Sequence, residues 1–198
     1  DSEIEAVFSE YGKTYDSLDF VVHAVAFANR DDLTGDFSNV SLEGFNTALG
    51  VSAYSFIAVC RHAKPYISDN ASIITLSYLG GERYVPNYNV MGVAKAALES
   101  SVRYLAVEFG ERNIRVNTLS AGPVKTLAAK GISDFDVLLK ISELRAPMKR
   151  NVTLDEVGKA GLYLCSDLSS GVSGEIHHVD CGMHSIVIDK NDAKLIEK

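Results

Sequence analysis

Six residues lie between Tyr88 and Lys95 in Pro86-Asn87-Tyr88-Asn89-Val90-Met91-Gly92-Val93-Ala94-Lys95. The residues that follow, Ala96, Ala97, Leu98 and Glu99, are strong helix formers, and the pattern predicts a helix over Asn87 to Phe109. Positions seven apart share one face of an α-helix and lie roughly 10 Å apart along its axis. Helical side chains lean toward the N-terminus, so Lys95 reaches back toward Tyr88. A phenol and an ammonium presented along one face can supply a proton, or a hydrogen bond, to a developing oxyanion.

Strands and helices that alternate along the chain must position that pair. Leu18 to Phe27, Ala71 to Leu76, Ile114 to Leu119 and Glu175 to Val179 read as strands, most of them nearly continuous in apolar residues. Helical patterns run over Ile4 to Tyr15, Glu43 to Ile67, Asn87 to Phe109 and Thr153 to Asp167. The last opens with a capping box, Thr153-Leu154-Asp155-Glu156. Apolar strands joined by helices predict an α/β fold: a Rossmann-like, doubly wound parallel sheet with helices on both faces, as a single domain over 1–198. Ala121 to Ile132, holding Gly122, Pro123 and Gly131, reads as a long loop after a strand. Ligands of open parallel sheets sit at the carboxyl ends of strands, which makes this loop a candidate binding segment. No G-x-G-x-x-G turn occurs, and the chain opens in a helix rather than a strand. The expectation is a domain whose N-terminal strands and glycine turn are absent from this chain.

Composition narrows the classes. The 198 residues are 46% hydrophobic and 23% charged, enough for a sizeable core. A net charge of −7 argues against general binding to nucleic acid or an anionic membrane, and no apolar run approaches a membrane span. Cys60, Cys165 and Cys181 lack metal-ligand spacing and read as reduced thilos of a cytoplasmic protein, with no metal expected. His23 lies inside a predicted strand and reads as a hydrogen-bonded core histidine. The Asp31-Asp32 pair reads as a solvated loop.

Several motifs stand out: Thr75-Leu76-Ser77-Tyr78-Leu79-Gly80, the Pro86 to Gly92 run with Lys95, Arg115-Val116-Asn117, Ser120-Ala121-Gly122-Pro123 with Thr126-Leu127-Ala128, and Leu164-Cys165-Ser166-Asp167-Leu168. Together they resemble the bacterial NADH-dependent enoyl-[acyl-carrier-protein] reductases of the short-chain dehydrogenase/reductase superfamily. Most of that superfamily uses Tyr-x-x-x-Lys, and no tyrosine here has lysine four residues on. The longer Tyr-x6-Lys spacing, with Tyr78 ten residues earlier, resembles the enoyl reductase branch. Stretching the pair over two turns weakens its charge coupling, so Tyr88 is expected to stay neutral and to donate a hydrogen bond.

The resemblance implies hydride transfer from NADH to the β-carbon of a trans-2-enoyl thioester in type II fatty-acid synthesis. It implies Tyr88 at the thioester oxygen, Lys95 on the ribose hydroxyls of the cofactor, and Tyr78 near the thioester. Val25, Val124, Lys125, Thr126, Leu127 and Ala128 match cofactor positions, and Ala28, Met91, Ile132 and Phe135 match substrate positions. Without the resemblance Val25 and Val124 read as ordinary strand-end apolar residues, Ile132, Phe135 and Met91 read equally well as core residues, and Tyr78 as a strand-end tyrosine with its ring in the core. The implied partner is the acyl carrier protein, an acidic molecule for which Lys130, Lys140, Lys149 and Arg150 offer a basic rim, or else simply solubilising charge. A homotetramer in the cytoplasm, or in a plastid stroma, is also implied, with Tyr54, Phe56, Val59, Leu105 and Phe109 serving either its interface or the core. Two other readings stand beside this one: a carbonyl-reducing relative, against which the missing Tyr-x-x-x-Lys argues, and a non-catalytic descendant that binds a nucleotide or protein.

Where relatives commonly carry glycine after the Val25 position, this chain has Ala26. The extra methyl narrows the nicotinamide pocket without removing a polar group. Turnover is expected to survive, while diphenyl-ether inhibitors that pack flat on the nicotinamide bind more weakly. Measuring their affinity before and after Ala26→Gly checks this, and an unchanged value refutes it.

Overall fold

Ile73 and Ile74 are adjacent, both essentially inaccessible, and belong to two different clusters, so their strand is buried on both faces. The computed structural model describes residues 1–126 and 134–189. In it, four parallel strands, β1 (Leu18–His23), β2 (Ile67–Ser77), β3 (Arg115–Ala121) and β4 (Ile176–Val179), lie side by side in sequence order. A parallel neighbour can be reached only by a crossover, and helices supply these. They are α2 (Leu42–Leu49), continued through a π-helical turn (Gly50–Tyr54) into α3 (Ser55–Ala63), then α4 (Asn89–Gly110), α5 (Phe135–Arg145) and α6 (Leu154–Cys165). α1 (Ser2–Tyr11) precedes them all.

The sheet has a core on each side. Phe56 and Cys60 of α3 and Leu98, Val102, Leu105 and Phe109 of α4 close over Ile73 and Val116. On the other face Leu164 of α6 meets Ile74 and Leu119. Phe56, Leu105 and Phe109, assignable from sequence to core or interface, are thus core residues, whereas Tyr54 is exposed. The expected doubly wound architecture is present.

Boundaries moved where local chemistry intervened. β1 stops at His23 rather than Phe27. The helix expected to reach Ile67 ends at Ala63, because Pro65 cannot continue it and Ile67 begins β2. α1 ends at Tyr11, with Gly12 as its cap. α6 carries the capping box, Thr153 accepting from the Glu156 amide while Glu156 accepts from the Thr153 amide. α5 was not expected at all. Its Val137, Ile141 and Leu144 are exposed, so it lacks the buried stripe that periodicity detects.

The pair Asp31-Asp32 requires correction. Asp32 is buried, not solvated: its carboxylate accepts from the backbone amide of Ser41 at 3.1 Å and from the Ser41 hydroxyl at 3.3 Å, bracing the start of α2. The prediction for His23 holds. Its ring nitrogens lie 2.9 Å from Thr75 Oγ1 and 2.8 Å from Ser55 Oγ. Burial, and secondarily the Lys95 charge, push its pKa down to about 4, so it is a neutral core group.

Candidate active site

Because the strands are parallel, the residues after β1, β2, β3 and β4 gather along one edge of the sheet. Val25, Tyr78, Val124 and Asp180 occupy those positions. The segment after β1 is fixed from the π-helical turn: the Ser52 hydroxyl donates to the Phe27 carbonyl at 3.0 Å and accepts from the Phe27 amide at 2.9 Å. Val25 and Ala26 are left exposed beside the strand ends, while Ala28 packs against the cluster of Leu33, Ala48, Tyr88 and Met91. Met91 is buried in that cluster.

Tyr88 is the N-cap of α4 rather than a residue within it, two positions later than the sequence suggested. Asn87 (φ 59°) and Asn89 (φ 25°) turn the chain into the helix, a left-handed geometry that asparagine tolerates better than most residues. The Tyr88 carbonyl accepts from the Met91 amide at 2.9 Å, starting the helix. Its ring lies edge-on to Tyr78, with centroids 5.2 Å apart and planes at 75°. Among the described residues neither phenol oxygen has a hydrogen-bond partner. Burial, reinforced by Tyr78 and Glu99, holds the Tyr88 phenol well above its ordinary range, and burial with Asp180 pushes Tyr78 up to about 12. Both are neutral donors at pH 7.

Lys95, on the same helix, is buried and donates to the Leu76 carbonyl at 2.7 Å. Burial lowers its pKa to about 8, against the opposing pull of Glu99. Glu99, one turn further on, is also buried and accepts from the Ser77 hydroxyl at 2.5 Å. Its own pKa is raised, chiefly by burial and next by Glu82, while Ser77, His178 and Lys95 oppose the shift. Sequence reasoning missed Glu99 as a site residue. The available signal was its i,i+4 relation to Lys95, which places both on one helical face.

Gly80 and Gly92 let the segment after β2 approach α4. A Cβ on Gly92 would lie 2.7 Å from the Gly80 carbonyl oxygen, a backbone atom that cannot swing aside. Gly92→Ala is therefore expected to cost about 1–3 kcal/mol of stability. Because Gly80 also backs the Tyr88 ring, turnover should fall at least ~10-fold. Thermal melts with steady-state rates test this; an unperturbed variant would show that the close approach is dispensable.

Beside Tyr78 opens a cavity of about 970 Å³. Tyr78, Gly122 and Asp180 line it, and Val137, Leu138 and Ile141 of α5 give it an apolar wall. Phe135 is at the first turn of α5, partly buried, and is not among the residues facing this space. Across the opening, two stacked imidazoles join the segment after β2 to the end of β4. His178 meets Glu82 at 2.7 Å, His184 lies with its ring centroid 4.2 Å from that of His178, and His184 Nδ1 is 3.0 Å from Asp180. After β3, Val124 is partly buried, and Lys125 and Thr126 are exposed. Leu127, Ala128, Lys130 and Ile132 lie outside the described residues. Of the expected basic rim, Lys140 pairs with Glu143, Lys149 with Asp189 and Arg150 with Glu156.

A family model described as enoyl-(acyl carrier protein) reductase matches residues 1–184. The chain belongs to that family. It is 55% identical over 190 residues to enoyl-[acyl-carrier-protein] reductase [NADH] 1 of Rhizobium meliloti (strain 1021), covering 96% of this chain and 70% of the relative. A Staphylococcus aureus (strain MRSA252) relative named as the NADPH form is 53% identical, over 94% of this chain and 73% of that protein. Among solved structures, the Anaplasma phagocytophilum enoyl-(acyl-carrier-protein) reductase in complex with NAD superposes with a TM-score of 0.91 at 50% identity, covering 96% of this chain and 73% of that one.

Proposed function

We infer that this protein is an NADH-dependent enoyl-[acyl-carrier-protein] reductase, an oxidoreductase acting on the double bond of a trans-2-enoyl thioester in fatty-acid synthesis. The observation that carries the site assignment is the buried, neutral Tyr88 phenol, without a hydrogen-bond partner among the described residues, at the sheet's carboxyl edge with Lys95 on the helix that follows. The residues present suit a nicotinamide. The backbone amides of Val124 and Lys125 make no hydrogen bond among the described residues, which leaves donors for a carboxamide beside the exposed Val25 and Ala26. When bound, NADH supplies the hydride that adds to the β-carbon of the substrate.

The chain's own residues do the rest. Tyr88 donates a hydrogen bond to the thioester oxygen as that atom gains negative charge, and its raised pKa keeps the proton in place. Tyr78 buttresses the ring edge-on and faces the cavity that takes the acyl chain. Lys95 holds the ribose hydroxyls and adds positive potential beneath the developing oxyanion. Thr126 takes a phosphate oxygen, Leu127, Ala128 and Ile132, outside the described residues, are assigned to the ligands with it, and Ala28 and Met91, in the cluster with Tyr88, shape the acyl side. We place the enzyme in the cytoplasm as a homotetramer, with the exposed Tyr54, Tyr104 and Val107 on the long helices offering apolar interface surface. No helix among the described residues is long and apolar enough to cross a membrane.

The deciding experiment follows NADH absorbance with a crotonyl thioester. Oxidation of NADH dependent on the thioester is expected. Cofactor binding without turnover would favour the non-catalytic reading, and turnover only of carbonyl substrates would favour the carbonyl-reducing relative.

A further inference from the structure

The cavity beside Tyr78 has a mixed lining. Tyr78 and Gly122 line it, Val137, Leu138 and Ile141 give it an apolar wall, and the exposed Arg83 lines it on the segment after β2. Among the described residues the Arg83 guanidinium has no carboxylate or carbonyl partner. Three other arginines are engaged: Arg61 on Asp1, Arg112 on Asp69 and Arg150 on Glu156. The acidic groups around Arg83 are already occupied. Glu82, its sequence neighbour, is taken by His178, Asp180 holds the His184 ring and amide, and Asp134 accepts from Asn87. Arg145, in the last turn of α5, also lines the cavity and adds positive charge to the same space.

A guanidinium without a partner among the described residues, lining the same cavity as the Tyr78 phenol, has the form of an anion site, since its fork of donors matches phosphate bidentately. We propose that Arg83 binds the phosphate of the substrate's pantetheine arm, fixing the outer end of the thioester while the phenol engages its inner end. This rests on the enoyl reductase reading, and it names the part of the substrate that the cavity mouth recognises. An alternative origin for the same charge preference, carboxylates on the carrier protein's surface, is separated by the choice of substrate.

The test is Arg83→Gln in the intact protein, assayed with three crotonyl thioesters: the carrier-linked form, the coenzyme A form, and the N-acetylcysteamine form, which lacks phosphate. Arg83 is exposed, so the substitution leaves the core untouched. Expected is a KM rise of roughly 10-fold for both phosphate-bearing substrates, the scale of one charge-assisted contact. The kcat, the KM for NADH and the rate with the N-acetylcysteamine thioester should be unchanged, and Arg83→Lys should recover part of the loss. A rise confined to the carrier-linked substrate would assign Arg83 to the carrier surface and overturn the proposal, as would a raised KM for NADH or an equal loss on all three substrates. No change on any substrate would overturn it too, while leaving the reductase reading intact. Absence of wild-type turnover with every thioester would remove both.

Discussion

Tyr88→Phe is expected to lower kcat/KM for a crotonyl thioester by about 10²–10³-fold, the usual cost of deleting one donor to a developing oxyanion. The ring stays, so its edge-on contact with Tyr78 and its place in the cluster with Met91 and Ala94 should persist. NADH affinity and thermal stability are therefore expected to change little. This separates a chemical loss from a structural one, because a folding defect would lower all three together. Stopped-flow single turnovers place the loss in the chemical step. A drop of less than ~3-fold would mean that the phenol proton does not stabilise the reacting oxygen.

Lys95→Met should act on a different observable. The substitution keeps much of the buried stem and removes the ammonium that donates to the Leu76 carbonyl. The expected result is a KM for NADH raised more than ~10-fold together with a reduced kcat, since one charge serves both ribose binding and the oxyanion's potential. The native enzyme carries a pH signature of the same group. Burial depresses the Lys95 pKa to about 8, so the ammonium is intact below that pH and lost above it. Tyr88 and Tyr78, shifted upward, remain protonated throughout. The free-enzyme profile of kcat/KM should thus be level near neutrality and fall with one deprotonation on the alkaline side. Lys95→Arg should abolish that fall, because a guanidinium keeps its charge in this range. A profile unaltered by that change would assign the alkaline limb to another group.

The sheet was legible because β2 and β3 are buried on both faces and read as apolar runs that helical segments separate. Tyr88 and Lys95 were legible because their spacing is a property of sequence. Their surroundings were not. Glu99 and Ser77 meet only after α4 packs on β2, and two residues 22 apart carry no local signal of contact. Arg83, and Asp180 with the two stacked histidines, come from two separate stretches that share the sheet's carboxyl edge only once folded. α5 escaped detection because its apolar residues face the cavity and solvent rather than the core, so burial imposes no regular stripe. The termini of α3 and β1 shifted because a proline and a serine-clamped segment outweigh average propensity.

The π-helical turn at Gly50–Tyr54 has an evolutionary and engineering consequence. It places one surplus residue between α2 and α3, and one residue is about 100° of rotation about a helix axis. On its upstream side Phe45, Ala48 and Leu49 join the cluster that cradles Tyr88; on its downstream side Phe56 and Cys60 fill the sheet core. A single continuous rod thereby presents two apolar stripes in different phases, and Ser52 and Ser55 sit where the phase changes. Excising any one residue from this turn would force the stripes into alignment, so one cluster would lose its partner however conservative the remaining sequence. Length at this point, more than side-chain identity, is what the segment cannot give up.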